Sequence, residues 1–520
     1  KAYRLNEPLA VNDSLQLFFQ LENTPNGFSN NGVESIVRKN GTIFDSEILP
    51  AIGYNEGFEL QTNSRRRKFG LAEKTVFANR MNDPNGIATN MIGSKSLINL
   101  KITAGTSSFQ TIVAPGELVK QWSKNGRNYF TYESKRPINN FYSVLSAKYA
   151  IAKDVWESGD SLNSKVNLAI YHHPTHTYNL NTMMGGMKEA LAYYHKNYSP
   201  FQYSELRIAE FPRYSVFAQS FSGCIPFSEG IGFIADLKEV NIDSASVLND
   251  GNVIIDYPFY VTAHEVAHQW WAHQVCAANV EGASFIIETL SQYSALMVMK
   301  QHYGEEKMRK FLNIEGYQYL SSRSGGVHRE NPLLTVIGDE QAVFYRKGSV
   351  IMYALQDYIG EANVNAVLKR FIDKYAFKNA PYPTSLELVN EIEKVTPDSL
   401  KYIINDWFKT ITLYNNKLIE ATYSKNENLE YIVKITLNVK KYSYDKNGKE
   451  TEVSVNDYLP FAIYNSKGKQ VYLEKIKVKQ GINNLIIKLD RKPETLILDP
   501  YNELLDKDWI MKKITIKKNI

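Results

Sequence analysis

The chain has 520 residues, which is too long for one ordinary hydrophobic core and predicts two to four domains. Its hydrophobic content of 43% and charged content of 22% are typical of a soluble globular protein. The formal net charge of +5 is small for this length, so the charge gives no reason to expect a nucleic acid or a strongly acidic partner.

The first part of the chain, residues 1–163, is predicted to form a β-domain. Short segments of alternating polar and apolar residues recur there, for example Leu15–Phe19 and Tyr129–Tyr132. Glycine, asparagine and proline residues separate them, as expected for turns between strands.

The middle part, residues 164–411, mixes both kinds of pattern. Val166–Tyr171 is predicted to be a strand and Asn181–Tyr198 a helix. Further apolar spacing typical of helices runs through Tyr260–His273, Phe285–Tyr303 and Lys347–Tyr358. This region is therefore predicted to be a mixed α/β domain.

The last part, residues 412–520, returns to the β pattern. Tyr431–Leu437 alternates well, and Lys446-Asn447-Gly448 is typical of a hairpin turn. The order of β, α/β and β regions predicts a multidomain α+β protein of three domains, with the chemistry in the middle one.

An H-E-x-x-H motif lies in the second helical segment, at His264 to His268. Residues four apart lie on the same face of a helix, so the two imidazoles can bind one metal ion. Glu265 then projects beside the ion, where it can act on a water molecule as a general base. The motif predicts a zinc site with one Zn²⁺ per chain.

A third protein ligand is required, and several residues are candidates. One class of zinc peptidase uses a histidine six residues after the second ligand, but that position is Gln274, and His273 falls one residue short. Another class takes a glutamate from the next helix. Glu288 begins a strongly helical segment, whereas its rival Glu281 lies beside a glycine in the connection. We therefore expect Glu288 to be the third ligand.

A second histidine-rich segment, His172-His173-Pro174-Thr175-His176, is another candidate metal site. Pro174 prevents a helix there, and no carboxylate partner lies nearby in the sequence. We expect this segment to be the end of a strand that leads into a loop.

The motif, the Gln269–Trp271 segment after it and Glu288 together resemble the zinc aminopeptidases of the gluzincin clan, which include aminopeptidase N and the leukotriene hydrolase. The family places eighteen residues between the second histidine and the ligand glutamate, whereas nineteen separate His268 from Glu288 here. The family also usually has glycine after that glutamate, where this chain has Thr289.

The resemblance extends to two further site residues. Tyr345-Arg346-Lys347-Gly348 is similar to the family's Y-x-K-G segment, which implies that Tyr345 stabilises the oxyanion of the reaction. Glu229 stands where the family has the glutamate of G-x-M-E-N, which implies that it binds the α-amine of the substrate. Ser228 and Gly230 replace the methionine and asparagine of that motif.

The resemblance implies an N-terminal β-domain, a thermolysin-like catalytic domain and a C-terminal β-sandwich. The implied function is that of a zinc aminopeptidase acting on peptides with a free N-terminus. Two alternatives stay open: an endopeptidase or oligopeptidase on the same site, and a non-catalytic partner-binding ectodomain of a membrane transporter-like protein.

The chain is most similar in pattern to peptidase domains fused to ABC-transporter-type permeases of bacteria. The resemblance rests on the segment that begins at Glu288 and on Ser228–Phe233, and the chain starts at Lys1 rather than methionine. We therefore expect a domain linked to membrane-spanning segments outside this chain, on the periplasmic side of a bacterial membrane.

Overall fold

The architecture is known from a computed structural model. It describes residues 4–24, 37–50, 60, 63–73, 79–92, 96–162, 164–234, 256–324, 330–509 and 511–519. Among the helices of these residues, none is both long enough and apolar enough to cross a membrane.

The N-terminal region contains two three-stranded antiparallel sheets, in the orders β1-β6-β3 and β2-β5-β4. The predicted strand at Tyr129–Tyr132 lies within one of them, and Phe130 and Tyr132 are buried in the core between the sheets. The elements are β1 (Thr42–Asp45), α1 (Asn63–Lys68), α2 (Pro84–Ile87), β2 (Lys101–Ser107), β3 (Thr111–Val113), β4 (Glu117–Lys124), β5 (Arg127–Glu133) and β6 (Ser143–Ala147).

The prediction of a strand at Leu15–Phe19 was wrong. These residues belong to no strand and are exposed, and the side chain of Phe18 is 87% exposed. Alternation alone cannot make a strand, because the backbone groups also need a neighbouring strand as hydrogen-bonding partner.

A four-stranded sheet in the order β10-β9-β8-β7 begins the catalytic region. Its strands β10, β9 and β8 are parallel and β7 is antiparallel, and the predicted strand Val166–Tyr171 lies within β8. Pairing of β7 with β8 crosses the domain boundary predicted at residue 163, so this hairpin joins the two predicted domains. The strands are β7 (Ala150–Glu157), β8 (Lys165–His172), β9 (Glu205–Phe211) and β10 (Cys224–Ser228).

Helices pack beside this sheet, and α3 contacts both α5 and α6. The predicted helices at Asn181–Tyr198, Phe285–Tyr303 and Lys347–Tyr358 are present, although the last two open with a π-helical turn. The helices are α3 (Leu180–Asn197), α4 (Glu229–Gly232), α5 (Tyr257–Ala267), α6 (Leu290–Tyr303), α7 (Glu305–Ser324), α8 (Gly348–Ile359), α9 (Glu361–Tyr375) and α10 (Ser385–Val395).

The motif helix α5 ends at Ala267, six residues before the predicted end at His273. Trp270 and Trp271 continue the apolar pattern that predicted a longer helix, and both are fully buried. Their indole N–H groups donate to Ser199 O at 3.0 Å and to Ser294 Oγ at 2.9 Å. A turn can bury both indole rings while their N–H groups remain hydrogen-bonded, so the burial of these residues does not require the helix to continue.

The C-terminal region is made of three sheets, in the orders β11-β14-β15, β18-β13-β12-β21 and β17-β16-β19-β20. The predicted strand Tyr431–Leu437 lies within β13, and the predicted turn at residues 446–448 connects β14 and β15. The strands are β11 (Ile411–Tyr414), β12 (Lys417–Lys425), β13 (Tyr431–Val439), β14 (Lys441–Tyr444), β15 (Glu450–Val453), β16 (Asn456–Tyr464), β17 (Gln470–Lys479), β18 (Gly481–Leu489), β19 (Thr495–Leu498), β20 (Lys512–Thr515) and β21 (Lys517–Lys518).

Buried charges join the C-terminal sheets to the catalytic helices. The Nζ atom of Lys441 lies 2.7 Å from a carboxylate oxygen of Asp406 and 2.7 Å from one of Asp457. A buried ammonium paired on two sides keeps its charge satisfied, so this contact fixes the orientation of β14 against the preceding helical turn.

A second junction contains two facing carboxyl groups. Glu503 is 3% exposed, and its Oε2 atom has no hydrogen-bond partner among the described residues. Asp357 lies beside Glu503 and forms an ion pair with Lys475. Burial, together with the neighbouring Asp357 and Asp499, raises the pKa of Glu503 well above its ordinary value. A carboxylic acid proton on Glu503 therefore relieves repulsion between the two groups.

We predict that Glu503→Gln stabilises the protein at alkaline pH. The folded protein holds the proton of Glu503 more tightly than the unfolded chain does, so its stabilising contribution is present below the unfolded pKa and is lost as pH rises through the raised pKa. The amide stays neutral. The melting temperature should rise by about 2–4 °C at about pH 9 and change little at about pH 4.

Differential scanning calorimetry over this pH range measures the effect. Glu474→Gln on the exposed face of β17 serves as the control, because it removes the same charge where water screens it. A Glu503→Gln protein that melts at a lower temperature than the parent at alkaline pH would show that the carboxylate is ionised and paired there.

Candidate metal centre and active site

Residues at the beginning of helix α5 define where its N-terminus lies. Asp256 caps its N-terminus, where the side chain accepts a hydrogen bond of 3.1 Å from the backbone N–H of Phe259. Pro258 lies in the first turn, where its missing N–H leaves no bond unmade. The helix is therefore held at a defined starting point, two turns before the histidines.

The three predicted ligands converge at one buried point. Nε2 of His264 lies 3.0 Å from Nε2 of His268, and Oε2 of Glu288 lies 3.5 Å from the former and 3.4 Å from the latter. The two histidines come from α5 and its C-cap, and Glu288 comes from the π-helical turn Phe285–Thr289 before α6. These groups form one of two clusters of potential metal ligands among the described residues.

The triangle of ligand atoms has the size that a tetrahedral zinc ion requires. Zinc binds histidine nitrogen and carboxylate oxygen at about 2.0–2.1 Å, so two ligands of a tetrahedron lie about 3.3–3.4 Å apart. The Oε2 atom of Glu288 is buried and makes no hydrogen bond within the described part of the chain. A cation at the centre of the triangle would satisfy this oxygen, so the donor set fits zinc.

The charges of the metal-free residues also favour a cation at this point. Burial opposes ionisation of Glu288, but His268 and His264 outweigh it and hold its pKa well below the ordinary value. Although burial lowers the pKa of His268, the Glu288 carboxylate raises it to about 9. Burial lowers the pKa of His264. Without a metal ion, the negative charge of Glu288 thus attracts a proton to His268, and a cation at the same point would be attracted in the same way.

Neighbouring groups orient His268. Its Nδ1 atom lies 3.1 Å from the backbone oxygen of Trp271 and 3.1 Å from Oγ of Ser291. A carbonyl can only accept, so Nδ1 carries a proton, and a metal ion in the ligand triangle would be bound through Nε2.

Glu265 lies beside the triangle, also on α5. It is 5% exposed, and burial together with the nearby Glu288 raises its pKa to about 7 against the opposing effect of His268. Its Oε2 atom has no hydrogen-bond partner among the residues described. A buried carboxylate with a pKa near neutrality has the properties of a general base.

Tyr345 lies on the π-helical turn Ala342–Lys347 before α8. Its ring centroid is 6.1 Å from that of His264, and Glu288 is among its charged neighbours. Burial and the two nearby carboxylates, Glu288 and Glu265, raise its pKa far above the ordinary value. The phenol therefore stays neutral and can act as a hydrogen-bond donor.

Glu229 begins α4, directly after the parallel strand β10. One of its carboxylate oxygens accepts a 3.0 Å hydrogen bond from the backbone N–H of Arg213, and the other lies 4.0 Å from Nδ1 of His176. Its side chain is 21% exposed, so it is held in place yet accessible to a ligand.

The second cluster, made of His176, Glu210 and Glu229, is a hydrogen-bonded group rather than a second zinc triangle. Nδ1 of His176 hydrogen-bonds to Oε1 of Glu210, and its 4.0 Å gap to Glu229 exceeds a tetrahedral edge of about 3.3 Å. The buried Glu210 also accepts a 2.6 Å bond from the N–H of His173.

The prediction that the histidine segment leads from a strand into a loop is confirmed, since β8 ends at His172. Sequence reasoning nevertheless missed the contact of His176, because its carboxylate partners lie 34 or more residues away in the sequence. The parallel pairing of β8 with β9 brings them together, and no local pattern carries that information.

The two rival ligands are placed elsewhere. His273 is buried with Nε2 3.1 Å from the backbone oxygen of Ser220, and burial lowers its pKa to about 4. Glu281 accepts a 3.2 Å hydrogen bond from the N–H of Met81 in the N-terminal region. Neither belongs to the cluster that contains Glu288.

Comparison with known proteins agrees with this arrangement. Residues 238–407 match the Peptidase family M1 domain. The chain is 24% identical over 229 residues to "Probable aminopeptidase 1" of Sulfurisphaera tokodaii and 23% identical over 229 residues to the leucyl aminopeptidase of Saccharolobus solfataricus. Each alignment covers 42% of this chain and 27% of the relative.

The fold is similar to that of a solved structure, Legionella pneumophila aminopeptidase A in complex with aspartic acid. The TM-score is 0.53 at 14% sequence identity, and the match covers 82% of this chain and 45% of that chain. The chain thus matches less than half the length of these proteins. The region that matches the Peptidase family M1 domain, residues 238–407, contains the ligand triangle together with Glu265 and Tyr345.

Proposed function

We propose that the protein is a zinc-dependent aminopeptidase, which hydrolyses the first peptide bond of peptides with a free N-terminus. The observation that carries the proposal is the triangle of His264, His268 and Glu288 ligand atoms with sides of 3.0–3.5 Å, beside which Glu265 and Tyr345 lie. Similarity to aminopeptidases over 42% of the chain supports the choice of reaction.

The zinc ion would be held by His264, His268 and Glu288. When bound there, zinc polarises the scissile carbonyl and makes a water molecule acidic enough to attack at neutral pH. Three protein ligands are the number that catalytic zinc sites typically have.

Glu265 is proposed to move the proton. Its carboxylate accepts a proton from the attacking water and later donates it to the nitrogen of the leaving amine. Burial raises the pKa of this carboxyl group above its ordinary value, which favours uptake of the proton from water.

Tyr345 is proposed to donate its hydroxyl hydrogen to the oxygen on which negative charge develops. Because its neutral form is strongly favoured, the O–H bond is available throughout the reaction. A donor already in place costs no reorganisation when the charge forms.

Glu229 is proposed to bind the protonated α-amine of the substrate. An ammonium group can donate a short charge-assisted bond to this carboxylate. Such a bond would hold the N-terminus at a fixed distance from the ligand triangle, so that only the first peptide bond reaches it.

The attachment to membrane-spanning segments stays a prediction from sequence resemblance.

We predict that Glu288→Ala removes bound zinc, because two imidazoles alone bind the ion weakly. Glu281→Ala and His273→Ala serve as matched controls and should keep about one zinc per chain, since their side chains contact backbone groups elsewhere. Metal analysis of the purified variants measures this. Full zinc occupancy in Glu288→Ala would remove this residue from the ligand set.

The second prediction separates the base from the oxyanion donor. Glu265→Gln keeps the shape but loses the base, so zinc content should stay the same while turnover falls about 10²–10⁴-fold. Tyr345→Phe should lower kcat about 10²–10³-fold with little change in KM. Steady-state kinetics on peptides decides between the roles. Unchanged turnover in Glu265→Gln, or an effect of Tyr345→Phe confined to KM, would contradict the assignment.

The third prediction tests recognition of the amine. Removing one partner of a buried charge pair typically costs about 2–5 kcal/mol, so Glu229→Ala should lower kcat/KM on free peptides about 30- to several-thousand-fold. N-acetylated peptides should be poor substrates of both proteins. Glu189→Ala, the same change at an exposed carboxylate of α3, serves as the control.

A folded Glu229→Ala enzyme that hydrolyses free and acetylated peptides as well as the parent does would end the aminopeptidase proposal. Efficient cleavage of acetylated peptides by the parent would instead favour the endopeptidase alternative.

A further inference from the structure

Thr289 follows Glu288 directly and makes a contact that the mechanism above does not use. Its hydroxyl donates a 2.6 Å hydrogen bond to the backbone oxygen of Phe344, the residue before Tyr345. Thr289 is fully buried, so no water competes for this bond. The bond joins the turn that carries Glu288 to the turn that carries Tyr345.

The geometry of the π-helical turn explains why this carbonyl is available to Thr289. In an α-helix the N–H of Gly348 would donate to the oxygen of Phe344, four residues before it. Here it donates to the oxygens of Val343 and Tyr345 instead. A buried carbonyl needs a donor, and the Thr289 hydroxyl supplies one from a neighbouring element.

Gly348 leaves the space that Thr289 occupies. A Cβ atom on Gly348 would lie 2.6 Å from both Cγ2 and Oγ1 of Thr289, closer than atoms can approach without displacement. The two turns therefore fit against each other in one arrangement, with the methyl and hydroxyl groups of Thr289 both in contact.

Ion pairs hold the other side of the tyrosine turn. Arg346 lies 2.7 Å from a carboxylate oxygen of Glu315 on α7, and the buried Lys347 lies 2.9 Å from one of Glu330. These contacts fix the turn to its neighbours, whereas Thr289 fixes it to the metal-ligand turn itself.

We propose that Thr289 is a positioning residue. Its hydroxyl fixes the position of the Tyr345 side chain relative to the Glu288 carboxylate and hence to the metal centre. The inference rests on the proposed role of Tyr345 as oxyanion donor. Displacing a donor by a fraction of an ångström weakens its bond to the developing charge while leaving substrate binding largely intact.

The substitution Thr289→Val keeps the shape of the side chain and removes the hydroxyl group. Steady-state kinetics of this variant test the proposal. We expect kcat to fall about 10- to 100-fold, with KM within about twofold and zinc content unchanged. Thr289→Ser keeps the hydroxyl and should stay within about threefold of the parent. If Thr289→Val does not fold, the Thr289→Ser and Thr289→Ala pair makes the same comparison without the branched methyl group.

Thr396→Val is the matched control. Thr396 is also buried, and its hydroxyl donates a 2.8 Å bond to the backbone oxygen of Ile392 at the end of α10. The same substitution there should lower stability without changing kcat. A Thr289→Val enzyme with the kcat of Thr396→Val, or a loss that Thr289→Ser shares in full, would overturn the proposal.

Hydrogen exchange in the metal-free protein provides a readout that does not depend on catalysis. Thr289→Val should accelerate exchange of the amides at residues 345–349 about tenfold, and Thr396→Val should not. Unchanged exchange at these amides would overturn the proposed coupling. If the parent protein lacks peptidase activity but exchange accelerates as expected, the proposed function is wrong while the link between the turns stands.

Discussion

The carboxylate of Glu288 faces two imidazole nitrogens across 3.5 and 3.4 Å inside a buried site, and the rest of the active region is arranged around this contact. Buried charges are costly unless they are paired. The Glu288 carboxylate raises the pKa of His268, and His268 in turn lowers the pKa of Glu288, so a positive charge beside this carboxylate is favoured. A divalent cation supplies that charge and also explains the oxygen of Glu288 that has no hydrogen-bond partner in the described chain.

Holding three ligands from two elements within this distance limits how the elements can pack. Helix α5 supplies two ligands, and its end at Ala267 lets Trp270 and Trp271 turn into the core. Glu288 and Tyr345 each lie on a π-helical turn, a geometry that often occurs at functional sites because it redirects side chains from an otherwise regular helix. Lys475 of β17 pairs with Asp357 of α8, so the C-terminal region also contacts the helix that follows the Tyr345 turn.

Contacts between residues close in the sequence could be predicted, whereas contacts that depend on the pairing of distant strands could not. The four-residue spacing of His264 and His268 is a property of any helix, so the ligand pair follows from the motif alone. Glu288 also followed from local pattern, because it begins a helix. The contact of His176 with Glu210 depends on the pairing of β8 with β9, and the exposed segment around Phe18 alternates without forming a strand.

The account depends on a metal ion at the centre of one particular triangle. Anomalous X-ray diffraction at the zinc absorption edge, from crystals of the purified protein, locates such an ion directly. The account predicts one anomalous peak within about 2.0–2.2 Å of Nε2 of His264, Nε2 of His268 and a carboxylate oxygen of Glu288. A peak among His176, Glu210 and Glu229 instead, or none in zinc-saturated crystals, would contradict it.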